Sequence, residues 1–440
     1  MIFHHSHSQS SITDDHIPPR VPLHEKQVEG HAAGSTAISP PPDGGSKAWM
    51  HAVFLHIVCF NTWGVNNSFG VFQQYYAAEL LSSQSQSTIS WIGSVQVFCL
   101  FVIGTFSGRA TDMGYFRITF IIGVFFQLLG FFMASLGSSY YQIFLSQGIC
   151  VGIGNGLVLV PSMAVTSTYF STKRAIAISI GSSGAATGGL VFPVLTERLI
   201  AAQGAGYGWA MRCIGFVMLL TYIPCLIWYS PRLAPRKSGP LIDPSALREI
   251  QFWFFTVAMY FTFWGLYTVF FYIGTFARDS IGMTGTVNLI LVLNGAGLIG
   301  RLAPGIVAAK CTGVLNLLIP LTALASLLAF LWSQVQSQIG LYIFAVFYGF
   351  VAHSVQALSF AFLGSLTTDP QKLATRAGMV TSLTSVALLT GPSISGTLIQ
   401  HTNGSYFPAQ VFTGISMLLS ALFFTALRVA RVGTNIRIKV

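Results

Sequence analysis

Twelve long stretches of the chain are dominated by apolar residues and separated by polar turns. Their approximate limits are 48–76, 89–107, 118–136, 140–168, 175–195, 209–229, 252–276, 287–306, 314–332, 339–366, 378–399 and 411–427. A helix needs about 20 such residues to cross a hydrocarbon layer of ~30 Å. The pattern therefore predicts an all-α membrane protein with twelve transmembrane helices. Residues 1–47 are polar and rich in Ser, His and Pro, without the apolar core of a signal peptide, and read as a disordered N-terminal tail. The longest connection, 230–250, divides six helices from six. The expected organisation is a bundle over 48–229, that linker, a second bundle over 251–427 and a C-terminal tail over 428–440.

Composition supports the membrane reading. Charged residues are 8% of the 440, and the mean hydropathy is +0.66, where a soluble domain carries roughly 25% charge. A net charge of +10 could suit a nucleic-acid binder, but the basic residues are scattered between apolar spans, so no nucleic-acid partner is expected. They sort by topology instead. With the N-terminus inside, 18 of the 22 Lys and Arg fall on one side, and the positive-inside rule places both termini in the cytoplasm. Arg198 and Arg278 fall in outer loops, whereas Arg212 and Arg301 fall within spans. The six cysteines form no Cys-x-x-Cys pair, and neither a disulfide framework, a metal site nor a cofactor is indicated.

Between the second and third spans lies Gly108-Arg109-Ala110-Thr111-Asp112-Met113-Gly114-Tyr115-Phe116-Arg117. This reads as a short turn whose glycines hold two helices close while Asp112 and the arginines latch the membrane face. Gly305-Ile306-Val307-Ala308-Ala309-Lys310-Cys311-Thr312-Gly313 occupies the same place after the eighth span, with Ala309 where the acid stood. Two degenerate copies of a six-helix unit point to a parallel-repeat transporter, with its substrate site between the halves near mid-depth.

These segments resemble the major facilitator superfamily, and within it the fungal members of the monocarboxylate-porter branch. The resemblance covers about residues 42–427. It rests on Pro42-Asp43-Gly44-Gly45 with Trp49, on Asp112 to Arg117, and on Gln147-Gly148 through Gly156. Further pieces are Lys173-Arg174-Ala175 leading to Gly181-Ser182-Ser183-Gly184, and Gly300-Arg301 with Pro304-Gly305. It implies alternating-access transport of a small organic molecule, often a carboxylate and often with a proton. Where animal lactate carriers place a lysine in the first helix, this chain has Asn66-Asn67-Ser68. Where their eighth helix has an acid four residues before the arginine, it has Gly297.

None of the twelve acids sits mid-span. Proton coupling, if present, would fall to His56 or His353, which titrate near neutral pH when unperturbed; a packed or hydrogen-bonded role is the plainer reading of each. Arg301, about one turn inside the cytoplasmic end of its helix, is the sharpest substrate candidate. An unpaired charge there costs about 2.5–3.5 kcal/mol on insertion scales, and a guanidinium binds a carboxylate through two parallel hydrogen bonds. The plain alternative is a side chain that snorkels to the interface. Of the polar groups within spans, Asn67, Asn294 and Gln356 are the leading further candidates. The latch candidates are Gly108, Asp112, Gly114 and Arg117. Phe261, Phe263, Trp264, Phe270 and Phe271 in the seventh span read as lipid-facing, with a pocket lining as the alternative.

The expected function is a secondary transporter for a small organic solute, an organic acid or monocarboxylate-like metabolite. A monomer in the plasma membrane is expected, with an internal membrane as the other option. An efflux carrier for a secondary metabolite shares that architecture. The rivals of another class are a membrane-embedded transferase and a non-transporting nutrient receptor.

Overall fold

The computed structural model describes residues 41–201, 206–235, 241–365, 370–435 and 438–439. Most of the proposed N-terminal tail, residues 1–40, lies outside the described residues, as do 236–240 of the linker. Among the described residues, twelve helices are long and apolar enough to span a bilayer: α1 Gly45–Leu80, α2 Gln86–Asp112, α3 Phe116–Ala134, α4 Tyr140–Ser167, α5 Arg174–Ala201, α6 Gly206–Trp228, α7 Ile250–Ile281, α8 Val287–Thr312, α9 Val314–Trp332, α10 Gln338–Leu363, α11 Pro370–His401 and α12 Phe407–Val432. The face at which α1 begins and α12 ends is called the near face, and the opposite one the far face.

The helices outrun their apolar windows, and this corrects two expected turns. Gly108 to Asp112 is the last stretch of α2, and the turn itself is only Met113 to Tyr115. It closes where Gly114 takes φ +94° and the Tyr115 amide donates to the Ala110 carbonyl oxygen at 2.9 Å. Likewise α8 runs on through a wide π turn, Ala308–Thr312, to Gly313 at φ +84°. Polar residues past the hydrocarbon edge are solvated without leaving the helix, so hydropathy marks the membrane and a left-handed glycine marks the helix end. At the other terminus, α12 continues to Val432. Arg428 folds back there onto Asn316 Oδ1 (2.6 Å) and the carbonyl oxygens of Gly433 (3.1 Å) and Asn435 (2.6 Å).

Lipid offers no hydrophobic gain between helices, so close packing at small residues must hold them. Helix α5 lies on α1 at Gly181, Gly184 and Gly188, and a Cβ at Gly184 would collide with the His56 carbonyl oxygen. Contacts between the two halves run along α2 and α11. Near the far face, Ser87 donates to the Ser393 carbonyl oxygen at 2.9 Å, and towards the near face Thr105 meets Ser382 at 3.0 Å. Helix α5 meets α8 where Gly189 leaves room for Asn294, and α1 meets α7 where Gly70 and Gly274 admit close neighbours. The outward surfaces carry Phe125, Leu220, Ile299 and Leu327, the side chains a lipid environment requires.

Candidate substrate site

The middle of the molecule is built from helical stripes. On α1, Cys59, Trp63 and Asn67 recur every four residues and share one face. On α7, Phe263 and Tyr267 do the same, as do Gln356 and Phe360 on α10. On α8, Asn294 and Arg301 stand two turns apart on one face. Arg301 lies about one turn inside the near-face end of its apolar span, and α8 continues about three turns beyond it to Thr312.

Arg301 is 8% exposed and donates from Nη2 to Gln356 Oε1 at 2.7 Å. Gln356 Nε2 in turn donates to the Tyr267 hydroxyl at 2.7 Å. This fixes the amide orientation and leaves the Tyr267 proton free to donate elsewhere. Arg301 Nε is buried without an acceptor. Among the described residues no carboxylate pairs with it. The Cys59 thiol and the Tyr267 hydroxyl both lie within electrostatic reach of the guanidinium. A buried cation with an uncommitted N–H, next to an uncommitted hydroxyl, is a site that lacks an acceptor.

Aromatic rings pack together beside Tyr267. Trp63 lies nearly parallel to Tyr267, with centroids 6.4 Å apart and planes at 20°. Phe101 of α2 lies nearly parallel to Phe360 at 6.1 Å and 21°. Phe263 packs on both Tyr267 and Phe360. Three of the five α7 aromatics expected to face lipid, Phe263, Phe270 and Phe271, are buried instead. Hydropathy could not separate these faces, since interior and lipid are equally apolar.

The remaining candidates are placed as follows. Asn67 is buried one turn above Trp63, with Nδ2 unpartnered, and the adjacent Asn66 has neither amide atom partnered. Asn294 Nδ2 donates to the Ile290 carbonyl oxygen at 3.0 Å, leaving Oδ1 unpartnered against Gly189 of α5. His353 lies within electrostatic reach of Arg301. Its Nδ1 donates to the Gly349 carbonyl oxygen at 2.8 Å, Nε2 has no partner, and the ring fills the space left by Gly297. His56 is elsewhere, tied to α5 through Ile180, Ser183 and Thr187.

At the near face Gly108 rests on Val160 of α4, and Gly114 rests on Pro235 of the linker. Arg117 reaches the Leu226 carbonyl oxygen of α6 at 3.4 Å, and Asp112 is also engaged. Two further ties went unnoticed in the sequence. Asp43 accepts from the amides of Ser171 (2.8 Å), Thr172 (3.0 Å) and Lys173 (3.1 Å) and from the Ser171 and Thr172 hydroxyls, at the start of α5. These bonds, the Thr172 hydroxyl foremost, hold its carboxyl well below the usual range. Arg376 of α11, 4% exposed, donates to Asp243 at 2.9 Å and to both oxygens of Glu249 at 2.8 and 2.6 Å. The Ser245 hydroxyl first, and Arg376 with it, lower the Asp243 carboxyl to about 2. The Pro-Asp-Gly-Gly before α1 was the available signal for the first tie; the second joins residues 133 apart.

Among the described residues, twelve helices long and apolar enough to span a bilayer enclose a buried arginine, the architecture of a multi-pass membrane protein. The sequence profile of the Major Facilitator Superfamily matches residues 54–367, and the chain belongs to that superfamily. It is similar to a fungal MFS-type transporter of Gibberella zeae, 41% identical over 399 residues, covering 90% of this chain and 89% of the relative. It is 32% identical over 393 residues to the aspyridones efflux protein of Emericella nidulans, covering 89% and 80%. It is 30% identical over 439 residues to the agnestins efflux protein of Paecilomyces divaricatus, covering 99% and 100%.

Proposed function

We propose that this transporter is an efflux carrier for a small acidic metabolite, with Arg301 as the anion-binding group. The observation that carries the reading is the buried guanidinium with, among the described residues, no carboxylate partner and an Nε–H without an acceptor. An arriving carboxylate or other anion would supply both the missing charge and the missing acceptor. Gln356 orients the guanidinium, and Asn67 and Asn294 offer neutral partners for the rest of the solute. Efflux of aspyridones and of agnestins is named for two relatives, which favours the outward direction. The resemblance to the monocarboxylate-porter branch favours an acid. The Lys and Arg distribution favours cytoplasmic termini, and the plasma membrane follows from an export role; the carrier is taken to act as a monomer.

The two halves rock about the site, and Gly108, Asp112, Gly114 and Arg117 form the near-face latch that governs this motion. A proton, where one is moved, binds at His353, whose Nε2 is unpartnered, once an anion has neutralised the nearby Arg301, rather than at His56, whose ring nitrogens are both engaged by α5.

The test is efflux of organic acids from proteoliposomes. Arg301→Gln should lower the initial rate at least thirtyfold, the scale on which truncating one partner of a buried charged contact acts (about 2–5 kcal/mol). Arg301→Lys should recover part of it. Wild-type rates in a correctly inserted Arg301→Gln protein would remove Arg301 from the site and defeat the reading.

A further inference from the structure

We infer that the solute is a planar, conjugated acid whose ring system is gripped between Trp63 and Tyr267, and that Trp63 sets the preference for flat substrates. This rests on the proposed anion-carrier reading and narrows its substrate class.

The inference starts from where the rings belong. Trp63 and Phe101 come from one half of the molecule; Tyr267 and Phe360 come from the other. Both cross-half pairs are nearly parallel, at 20° and 21°. Trp63 and Phe101 meet edge to face at 5.8 Å, which closes one side. When the halves move relative to one another, two pairs of aligned faces separate across the same seam. The faces exposed to an incoming solute are then flat, electron-rich and mutually parallel, a slot for a ring rather than for a branched or puckered skeleton. A ring between two others needs carbon contacts of ~3.5 Å on each side, a total of ~7 Å. The Trp63–Tyr267 centroids are 6.4 Å apart with both rings buried, so the two faces must part to admit a ring.

The polar end of the slot fixes the orientation. Tyr267 carries a hydroxyl whose proton is uncommitted, because its oxygen accepts from Gln356. Arg301 presents Nε–H without a partner. A solute lying on Tyr267 with an anionic oxygen at its edge meets both donors while its ring remains between the aromatic faces. Delocalised acids, such as aromatic carboxylates and enolised dicarbonyls, carry their charge at the edge of the ring, the side on which Tyr267 holds its hydroxyl. An aliphatic acid of equal size would satisfy Arg301 and gain nothing from the rings beyond its apolar area.

The experiment compares two acids of one skeleton, 2-naphthoate and its fully saturated decahydro counterpart, as initial efflux rates from proteoliposomes at pH 8. Rates from protein-free vesicles are subtracted. Wild-type protein should move the aromatic acid about tenfold faster at subsaturating concentration, the upper scale of aromatic pairing. Trp63→Leu should bring the ratio of the two rates to within about twofold, and Trp63→Phe should keep most of it. Tyr267→Phe, which retains the ring and loses only the hydroxyl, should slow both acids and preserve the ratio. Equal movement of both acids by the wild type would overturn the inference while leaving the anion-carrier reading intact. So would an unchanged preference in Trp63→Leu, or a lost one in Tyr267→Phe. Should Trp63→Leu fail to fold, the Trp63→Phe and Tyr267→Phe ratios still decide. Movement of neither acid by the wild type would defeat the carrier reading and this inference with it.

Discussion

Just before α1, Asp43 fastens the start of that helix to the start of α5, and its partners are backbone amides and hydroxyls. Just before α7, Asp243 and Glu249 fasten the corresponding place to the start of α11, and their partner is the buried guanidinium of Arg376. The joint recurs in both halves, but the chemistry does not. A carboxylate at a helix start is satisfied by free N–H groups and the positive end of the dipole, with no cation buried. A buried arginine demands its acids, because removing either charge strands the other. At the central site the first half supplies rings and neutral amides, and the second adds Arg301 to groups of the same kinds. The buried cations of both the joint and the centre thus belong to the second half.

Breaking the second joint should cost most. Arg376→Ala leaves Asp243, 5% exposed, without its countercharge. The expected loss is about 3 kcal/mol, with Glu249 free to turn to water. The midpoint of thermal aggregation in mild detergent should fall by about 5 °C, and Arg376→Lys should fall between that and wild type. Asp43→Ala should produce a smaller fall in the same measurement, since water can reach the freed amides at this half-buried site. If Asp43→Ala proved as damaging as Arg376→Ala, the contrast between the joints would be wrong. The smallest effect is that of pH. Both carboxyls are lowered, so their contribution is complete above the unfolded value near 4 and is lost as pH falls towards about 2 for Asp243. Heat stability should thus show no pH dependence from these joints between pH 8 and 5, where their contribution is complete, and should decline below about pH 4. Asp243→Asn should flatten its share of that acid limb.

The twelve spans were legible because lipid tolerates so few charges that every polar turn stands out. Arg301 was legible for the same reason, as a lone cation in an apolar run, and Gln356 was named beside it. Helix ends were not: Gly108 to Asp112 looks like a loop by composition, yet solvated polar residues continue α2 beyond the bilayer edge. The ring cluster was hidden because Phe263 and Phe125 have the same hydropathy whether they face a partner helix or a lipid tail. Arg376 was hidden because the start of α11 reads as exposed linker, and its acids lie 127 and 133 residues earlier.

The imidazole of His353 seated over Gly297 imposes an order on sequence drift. The ring is anchored through Nδ1 to Gly349 and abuts Phe270 edge-on at 5.2 Å, so it has nowhere to retreat. Any residue larger than glycine at 297, an acid included, must wait until position 353 has shrunk. Histidine at one place and a carboxylate at the other are thus alternatives, and a lineage passing between them has to change helix α10 first.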